Sequence, residues 1–266
     1  MLTCKCCKGD AATAPRLGGS TPWRRIANSV VANLIVEKCS EAQPLRRERL
    51  RCRRLGWPVA PSTLDTVWRW GTTLLTKVAD IFRGQVLANE YVQADSTPLT
   101  ISDPKHPKHR FKGQIWCFVG GGQVAFDFAK DWSAPSIADS FLVNAHGFKQ
   151  VDGYAGYATE IERDKKKVLL VQPDRRLGCG MHVRRPFYEA LTAGEARAAR
   201  PLELIQGLYK IEREANDAAL NHEARHELRQ KKSLPIVVEL RAWLDLQVGR
   251  HPPKSPLGRA VTYADG

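Results

Sequence analysis

The first third of the chain has the hydrophobic spacing of amphipathic helices. Ile26, Val30 and Leu34 recur at four-residue intervals, which predicts a helix with one apolar face. An arginine-rich segment then runs to Gly56, and Ser62-Thr63 are placed to cap a further apolar helix. A helix, a glycine-containing turn and a second helix form the outline of a helix-turn-helix, but two packed helices of a plain helical domain give the same pattern.

From about residue 86 the pattern alternates between apolar and polar positions, which predicts strands. They are predicted at 86–95, 114–119, 123–128 and 148–151, with a fifth at 166–171 or, as the preferred alternative, around 177–182. Gly120-Gly121-Gly122 forms a hairpin turn between the second and third strands, and helices are predicted at 136–143 and 155–163. The order β-β-β-α-β-α-β is that of an RNase H-like domain, so the expected fold class is α/β, a mixed sheet with flanking helices.

After Arg185 the chain returns to a helical pattern. One apolar face includes Leu204 and Ile211, and another includes Ile236 and Trp243. A polar, charged stretch at 216–232 separates them. We therefore expect two antiparallel helices joined by that stretch.

Basic residues are concentrated at the N-terminal end. The chain has 41 Lys and Arg against 28 Asp and Glu, a formal net charge of +13, and residues 1–85 hold 15 of the basic residues but only 6 of the acidic ones. Six arginines within nine residues face a single carboxylate, Glu48; they are Arg46, Arg47, Arg49, Arg51, Arg53 and Arg54. Such a run repels itself unless an anion is near, so we expect it to bind nucleic acid, with a merely solvated basic face as the alternative.

Neither a membrane span nor a secretory signal is expected. The longest apolar stretches are far too short for a bilayer, and residues 1–20 have no apolar h-region. The odd number of cysteines, seven, argues against a disulfide framework and for a reducing cytoplasm. Cys4 and Cys7 have the spacing of a zinc half-site, but a closed site needs four ligands and no second pair follows, so bound zinc is not expected.

Two aspartates end predicted strands that should be neighbours. Asp95 ends the first strand and Asp152 ends the fourth, and in the expected topology these strands lie side by side. Two carboxylates held close together bind Mg²⁺ or Mn²⁺, and two such metals can clamp the attacking and leaving oxygens of a phosphodiester displacement. The alternative is that each aspartate only stops its strand, since Asp before Gly is common in turns.

Five motifs between residues 94 and 258 add to this interpretation, within a resemblance that runs from Cys4 to about Tyr263. They are Ala94-Asp95-Ser96-Thr97-Pro98, Asp152-Gly153-Tyr154-Ala155-Gly156-Tyr157, Gly178-Cys179 with His182-Val183-Arg184-Arg185, Leu208-Tyr209-Lys210-Ile211-Glu212, and Lys254-Ser255-Pro256-Leu257-Gly258. In this order they resemble the insertion-sequence-66 family of bacterial DDE transposases. The resemblance implies that Asp95 and Asp152 are the first two acids of a catalytic triad, that Mg²⁺ or Mn²⁺ is the cofactor, and that the partner is DNA, both transposon ends and target.

The third of these motifs contains a histidine and two arginines whose roles differ. We expect Arg184 and Arg185 to face DNA. His182 either orients a phosphate or packs in the core, and we favour packing.

The chain departs from the family pattern at both ends, so we expect it to be truncated there. The family has a four-cysteine zinc module before the catalytic domain, and Cys4–Cys7 resembles only its last pair. The third acid is expected in an Asn-Asn-x-x-Glu-Arg motif beyond the Ser-Pro-Leu-Gly segment, and this sequence stops before it. Glu189 is the nearest surrogate, although its helix precedes the insertion. Gln93 and Ser96 also replace the usual His and Glu around the first acid.

These observations divide the chain into six parts with distinct expected roles. They are a remnant of a zinc-binding module at 1–10, a linker at 11–22, a basic helical DNA-binding region at 23–85, an RNase H-like core at 86–192, a helical insertion at 193–248 and a truncated C-terminal segment at 249–266.

The expected function is that of a transposase fragment, with DNA binding and metal-dependent strand cleavage and transfer by resemblance. The alternative is a catalytically dead DNA-binding remnant that at most interferes with an intact transposase. We expect a cytoplasmic, nucleoid-associated protein able to form homo-oligomers.

Overall fold

The computed structural model describes residues 26–131, 133, 144–163, 166–169 and 171–266. Cys4, Cys7, the linker at 11–22 and the helix predicted at 136–143 therefore lie outside the described residues. The chain divides into two compact units, Met1–Ile81 and Phe82–Gly266, and each is described by itself.

The first unit is helical in its described part. It contains helices α1 (Asn28–Cys39), α2 (Leu45–Arg54) and most of α3 (Pro61–Leu87). Val31 and Leu34 of α1 form a buried cluster with Leu64 of α3, which confirms the apolar face predicted for α1. Helix α3 begins at Pro61, whose missing N–H is tolerated in a first helical turn, so Ser62-Thr63 lie inside the helix and do not cap it.

The second unit contains a five-stranded mixed sheet. Its strands are β1 (Tyr91–Ser102), β2 (Arg110–Gly120), β3 (Gln123–Ala129), β4 (Phe148–Val151) and β7 (Arg176–Gly178), while β5 (Glu160–Arg163) and β6 (Lys166–Leu169) form a separate antiparallel pair. The order across the sheet is β3-β2-β1-β4-β7. The first three strands are antiparallel neighbours, whereas β4 is parallel to both β1 and β7. The predicted meander and the predicted contact between the first and fourth strands are both present.

The turn between β2 and β3 shows why this hairpin is glycine-rich. Gly121 and Gly122 have φ values of +58° and +75°. Both central residues of a type I′ turn need positive φ, which glycine adopts without steric cost. The hairpin predicted from Gly120-Gly121-Gly122 is therefore confirmed.

The two faces of the sheet have different surroundings because side chains alternate along each strand. Trp116 and Phe118 of β2 point to one face, where they are fully buried together with Val86 of α3 and Tyr157. The opposite face carries Asp95 of β1. One face of the sheet therefore packs into the core, while the face that carries Asp95 leaves this side chain exposed.

Several predicted boundaries in the sheet region differ from the structure. The first strand ends at Ser102 and not at residue 95, and the second begins at Arg110 and not at residue 114. The segment predicted as a strand from residue 86 begins as the end of α3, and β1 starts only at Tyr91. Residues 155–163, predicted as a helix, form a short 3-10 turn at Ala155–Ala158 followed by β5. The backbone of β5 pairs with β6, and this pairing overrides the local helical pattern.

The remaining helices form a second core. They are α4 (Gly180–Thr192), α5 (Ala199–Asp217), α6 (His222–Leu228), α7 (Leu234–Gln247) and α8 (Pro256–Asp265). Phe187 of α4, Ile205 of α5, Leu244 of α7 and Leu257 of α8 are buried in one cluster. Within the described ranges, none of the helices has the length and apolar character needed to cross a membrane.

The charged stretch at 216–232, expected to be a simple connection, is largely helical. It contains α6 and runs into a π-helical turn at Arg229–Ser233. Arg229 Nε lies 2.6 Å from a carboxylate oxygen of Glu212, and Lys232 Nζ lies 2.7 Å from one of Glu214. These ion pairs hold the stretch against α5, and periodicity of apolar residues alone does not reveal them.

The approach of β4 to β1 predicts opposite effects for two glycine-to-alanine substitutions. A Cβ at Gly147 would lie 2.1 Å from the carbonyl oxygen of Glu90, so Gly147→Ala must push the strands apart. We expect a loss of about 1–3 kcal/mol in the free energy of unfolding. Gly84 of α3 has no atom within 4 Å of such a Cβ, so Gly84→Ala should instead gain up to about 1 kcal/mol of helix propensity. Urea denaturation measures both, and equal effects would contradict the close approach.

Candidate active site

The parallel pairing of β1 with β4 brings Asp95 and Asp152 to the same level of the sheet. The register pairs Tyr91 with Phe148 and Gln93 with Gln150. Asp95 comes two residues after Gln93, and Asp152 comes two residues after Gln150. Because neighbouring strands lie about 4.8 Å apart, the two aspartates have adjacent positions. The prediction that Asp95 ends its strand is wrong, because pairing with β2 continues β1 to Ser102. Asp152 is the first residue after β4, as predicted.

Each of the two carboxylates has oxygen atoms to offer a cation. Oδ1 of Asp95 accepts a hydrogen bond from the backbone N–H of Ser96 at 2.8 Å, and Oδ1 of Asp152 accepts one from Tyr154 at 3.1 Å. Within the described part of the chain, neither Oδ2 has a hydrogen-bond donor. The side chain of Asp95 is 62% exposed. Two hard oxygen donors on adjacent strands suit Mg²⁺ or Mn²⁺.

A third ligand does not join this pair within the described residues. No group of three or more His, Cys, Asp or Glu side chains in those ranges is arranged to hold a metal ion. Glu189 lies on α4, seven residues and two helical turns beyond His182, and it does not line the cavity at Asp95. Its predicted surrogate role therefore has no geometric support among these residues.

The turn that carries Asp152 is held from two sides. The Tyr263 hydroxyl of α8 accepts a hydrogen bond of 2.8 Å from the Gly153 N–H. On the other side, Nη2 of Arg176 donates to the carbonyl oxygens of Asp152 at 3.1 Å and Tyr154 at 3.4 Å. A Cβ at Gly153 would lie 2.8 Å from the Tyr263 ring, so only glycine fits beneath it. The position of Asp152 thus depends on β7 and α8 as well as on β4.

Tyr157 lies in the core close to both aspartates. It is 1% exposed, and the Arg176 guanidinium lies 5.6 Å from its ring centroid. Burial raises the pKa of Tyr157 well above its usual range, and the negative charges of Asp152 and Asp95 raise it further. The phenol is therefore neutral at any physiological pH. Both aspartates affect the pKa of Tyr157, which agrees with a position of the two carboxylates near this ring.

A row of polar side chains ties β1, β4 and β7 together on the face of Asp95. Gln93 Nε2 donates to Gln150 Oε1 at 2.9 Å, and the Tyr91 hydroxyl donates to the same oxygen at 2.6 Å. Gln150 Nε2 in turn donates to the Gly178 carbonyl at 3.3 Å. Gln93, noted above as a departure from the family, thus contributes to the strand register.

His182 faces Asp95, so the interpretation of this residue as core packing is wrong. Its Nε2 lies 3.8 Å from Oδ1 of Asp95, and its side chain is 18% exposed. Its Nδ1 is buried without a hydrogen-bond partner among the described residues. Burying Nδ1 as an unpaired acceptor costs less free energy than burying it as an unpaired N–H donor. We therefore assign the ring proton to Nε2, the nitrogen on the side of the Asp95 carboxylate. The cause of the error is that α4 begins at Gly180, which moves His182 from the predicted strand into a helix.

Asp95 lines a cleft of about 440 Å³, and Asp152 does not belong to its lining. Its lining includes Asp95, Gln93, Gln150, His182, Arg185, Met181, Cys117, Cys179 and Tyr209. Cys117 is the register partner of Asp95 on β2, and burial, with the Asp95 charge, raises the pKa of its thiol. Of the two arginines predicted to face DNA, Arg185 therefore lies in the cleft. Arg184 lies over the ring of Tyr188, with 5.4 Å from guanidinium to ring centroid.

The six arginines of the first unit are not equivalent. Arg51 Nη1 lies 2.6 Å from Glu37 and 3.4 Å from Glu48, so it joins α2 to α1. Arg49 is half-buried, and the others are exposed and have no ion pair within the described residues; they are Arg46, Arg47, Arg53 and Arg54. Four exposed guanidinium groups remain available to an anion.

Comparison with known proteins identifies the family. Residues 24–266 match the transposase IS66 family. The chain belongs to the IS66 transposase family. Among its relatives, uncharacterized protein y4qI of Sinorhizobium fredii is 30% identical over 250 residues, covering 88% of this chain and 44% of the relative. Uncharacterized protein y4hP of the same organism is 27% identical, covering 91% of this chain and 46% of the relative.

This IS66-family chain spans about half the length of the curated relatives it matches. No solved structure is significantly similar to it. Family membership therefore rests on the sequence, and the arrangement of the cleft rests on the geometry described above.

Sequence reasoning missed residues that hold the site. Tyr263 and Arg176 contact the Asp152 turn from elements far along the chain, 110 and 24 residues away in the two contacts. No periodicity indicates such contacts. Tyr209 was noted only as part of a family motif, and it lines the cleft from α5.

The Tyr263 contact predicts a specific loss of stability. Tyr263→Phe removes the acceptor of the Gly153 N–H and should lower the free energy of unfolding by about 0.5–1.5 kcal/mol in urea denaturation. Tyr188→Phe is the matched control, because Tyr188 is 50% exposed. Equal effects of the two substitutions would show that the hydroxyl of Tyr263 does not hold the turn.

Proposed function

We propose that the second unit is an RNase H-like catalytic domain that cuts and transfers DNA strands with divalent metal ions. The observation that carries this proposal is the pairing of β1 with β4, which gives Asp95 and Asp152 matching positions. The strand order, a three-stranded antiparallel meander continued by two parallel strands, supports the fold. Membership of the IS66 family supports DNA as the substrate.

In this proposal Asp95 and Asp152 are the protein ligands of Mg²⁺ or Mn²⁺. Mg²⁺ is usually bound by one or two carboxylates together with substrate phosphates, so two aspartates at matching positions of adjacent strands, with Asp95 in an open cleft, fit its needs. When bound, such ions supply Lewis-acid activation of water and of the scissile phosphodiester. The protein supplies the geometry: the glutamine pair keeps the two strands in register, and Arg176 and Tyr263 hold Asp152.

Two side chains of α4 act on the substrate in the same cleft. Arg185 offsets the negative charge of the phosphate that enters beside Asp95. His182, whose Nε2 lies 3.8 Å from Oδ1 of Asp95, limits the room in which that carboxylate can turn. Both residues lie in the first two turns of α4, which begins at Gly180, and both line the cleft.

A complete DDE site needs a third carboxylate. The curated relatives are about twice as long as this chain, and we propose that the third acid belongs to their additional length. Asp95 and Asp152 then bind metal, and complete catalysis requires the third acid as well. Small errors in such a site can cost about a hundredfold in rate.

The first unit is the DNA-holding part in this proposal. Its exposed arginines on α2 contact backbone phosphates and therefore bind with little sequence preference. A glycine-containing turn with Gly56 at φ +84° separates α2 from α3, which keeps the helix-turn-helix outline open as a means of reading bases.

Metal binding tests the aspartate pair directly. We expect Mn²⁺, detected by electron paramagnetic resonance, to bind the chain weakly and to lose about tenfold or more in affinity in Asp95→Asn and in Asp152→Asn, because each removes one of two charged ligands. Asp174→Asn is the control, since Asp174 lies on a 3-10 turn outside the cleft. Equal affinity in all four proteins would remove the metal site.

Strand cleavage tests the proposed need for a further segment. We expect no cleavage of plasmid DNA in Mn²⁺ by this chain, and cleavage by a fusion that adds the C-terminal part of the y4qI relative, abolished there by Asp95→Asn. Robust cleavage by the chain alone would contradict the missing-acid argument and would make Glu189 the next residue to replace.

Salt dependence tests the arginine helix. Removing one arginine that binds a phosphate should reduce the slope of log affinity against log salt for duplex DNA by about 0.9. We expect Arg53→Gln combined with Arg54→Gln to reduce it by about 2. Arg51→Gln should leave the slope nearly unchanged and lower the melting temperature instead, because Arg51 is paired with Glu37. The reverse pattern would show that the ion pair opens to bind DNA.

A further inference from the structure

A second cavity adjoins the cleft at Asp95. It has a volume of about 580 Å³ and lies between α4 and α5. Its lining consists of Met181, Arg184, Leu202, Gln206, Tyr209, Glu212, Arg213 and Asn216. Met181 and Tyr209 belong to the lining of both cavities, so the two cavities adjoin at these side chains. A strand leaving the cleft over Met181 and Tyr209 would enter this groove, which we call the α4–α5 groove.

The charge of the α4–α5 groove favours an anion. Arg184 and Arg213 line it, and neither has a carboxylate partner within the described residues. Glu212 is the acid in its wall, and it is paired with Arg225 at 3.2 Å and Arg229 at 2.6 Å. The hydrogen bonds from Arg229 lower the pKa of Glu212, and the two guanidinium groups offset its charge. The groove therefore offers positive charge without a compensating acid.

The same groove offers surfaces on which bases can stack. The Tyr209 side chain is 38% exposed and Met181 is 55% exposed, although both belong to the wall. Tyr188, which does not line the groove but lies under Arg184, is 50% exposed. Burial raises the pKa of Tyr209, so its hydroxyl stays protonated and can donate a hydrogen bond. A basic groove with exposed aromatic side chains is the combination by which proteins hold single-stranded nucleic acid.

We propose that the α4–α5 groove binds unpaired nucleotides of a DNA strand whose adjacent phosphate lies at Asp95. Arg184 and Arg213 contact its phosphates, and a base stacks on Tyr209. Apolar wall residues such as Leu202 and Met181 suit bases better than the outer surface of a duplex, which presents phosphates alone. The inference deepens the proposed function and rests on it for the position of the scissile phosphate.

The test measures binding of a fluorescent single-stranded oligonucleotide to the full chain in EDTA, so that it is independent of metal. We expect Tyr209→Leu and Arg213→Gln each to weaken binding on the order of tenfold. Tyr209→Phe, which still stacks, should bind almost as the unaltered chain does. Lys210→Gln is the matched charge control, because Lys210 is exposed on α5 next to Tyr209 and does not line the groove.

Photo-crosslinking identifies the place of contact and excludes a contribution of α2. An oligonucleotide with 5-iododeoxyuridine should crosslink to the peptide that contains Tyr209, also when Arg53 and Arg54 are replaced by glutamine. Crosslinks confined to α2, or Tyr209→Leu and Arg213→Gln indistinguishable from Lys210→Gln, would overturn the inference. Because no metal is present, a failure of Mn²⁺ binding or cleavage would instead affect only the proposed catalytic function.

Discussion

The parallel hydrogen bonding between β1 and β4 is the interaction on which the candidate site depends. It pairs Gln93 with Gln150, and the next residues on the same face are Asp95 and Asp152. If β4 shifted by one residue along β1, one of the two carboxylates would lie on the opposite face of the sheet, because side chains alternate along a strand. The hydrogen bond between the two glutamines and the close approach at Gly147 both oppose such a slip.

The helical core affects the site through a small number of contacts. Tyr263 of α8 reaches the turn after β4, and the first turn of α4 brings His182 to Asp95. Phe187 of α4 and Leu257 of α8 are buried in the same cluster, so the helix beside Asp95 and the helix that contacts the turn after β4 share one core. Substitutions in that core should therefore disturb the cleft without touching a carboxylate.

Much of the fold, and the aspartate pair, follow from the sequence, while the supporting contacts do not. Alternation of side chains predicts the first four strands, and Asp152 at the end of a strand is visible in the pattern. Tyr263 and Arg176 are not, because their partners are distant in sequence and no spacing rule links them. His182 was misinterpreted because a three-residue strand leaves too little pattern to show where α4 begins. Ion pairs rather than apolar periodicity order the stretch after α5.

The most direct test of the central claim is a crystal structure of this chain grown in Mn²⁺, with the anomalous signal of manganese used to find the ion. We expect a manganese peak within about 2.0–2.6 Å of carboxylate oxygens of both Asp95 and Asp152, the distances typical of hard cations with oxygen ligands. The same crystals of Asp152→Asn should lose the peak. A peak elsewhere, or carboxylates turned to opposite faces of the sheet, would show that the two aspartates do not form a metal site.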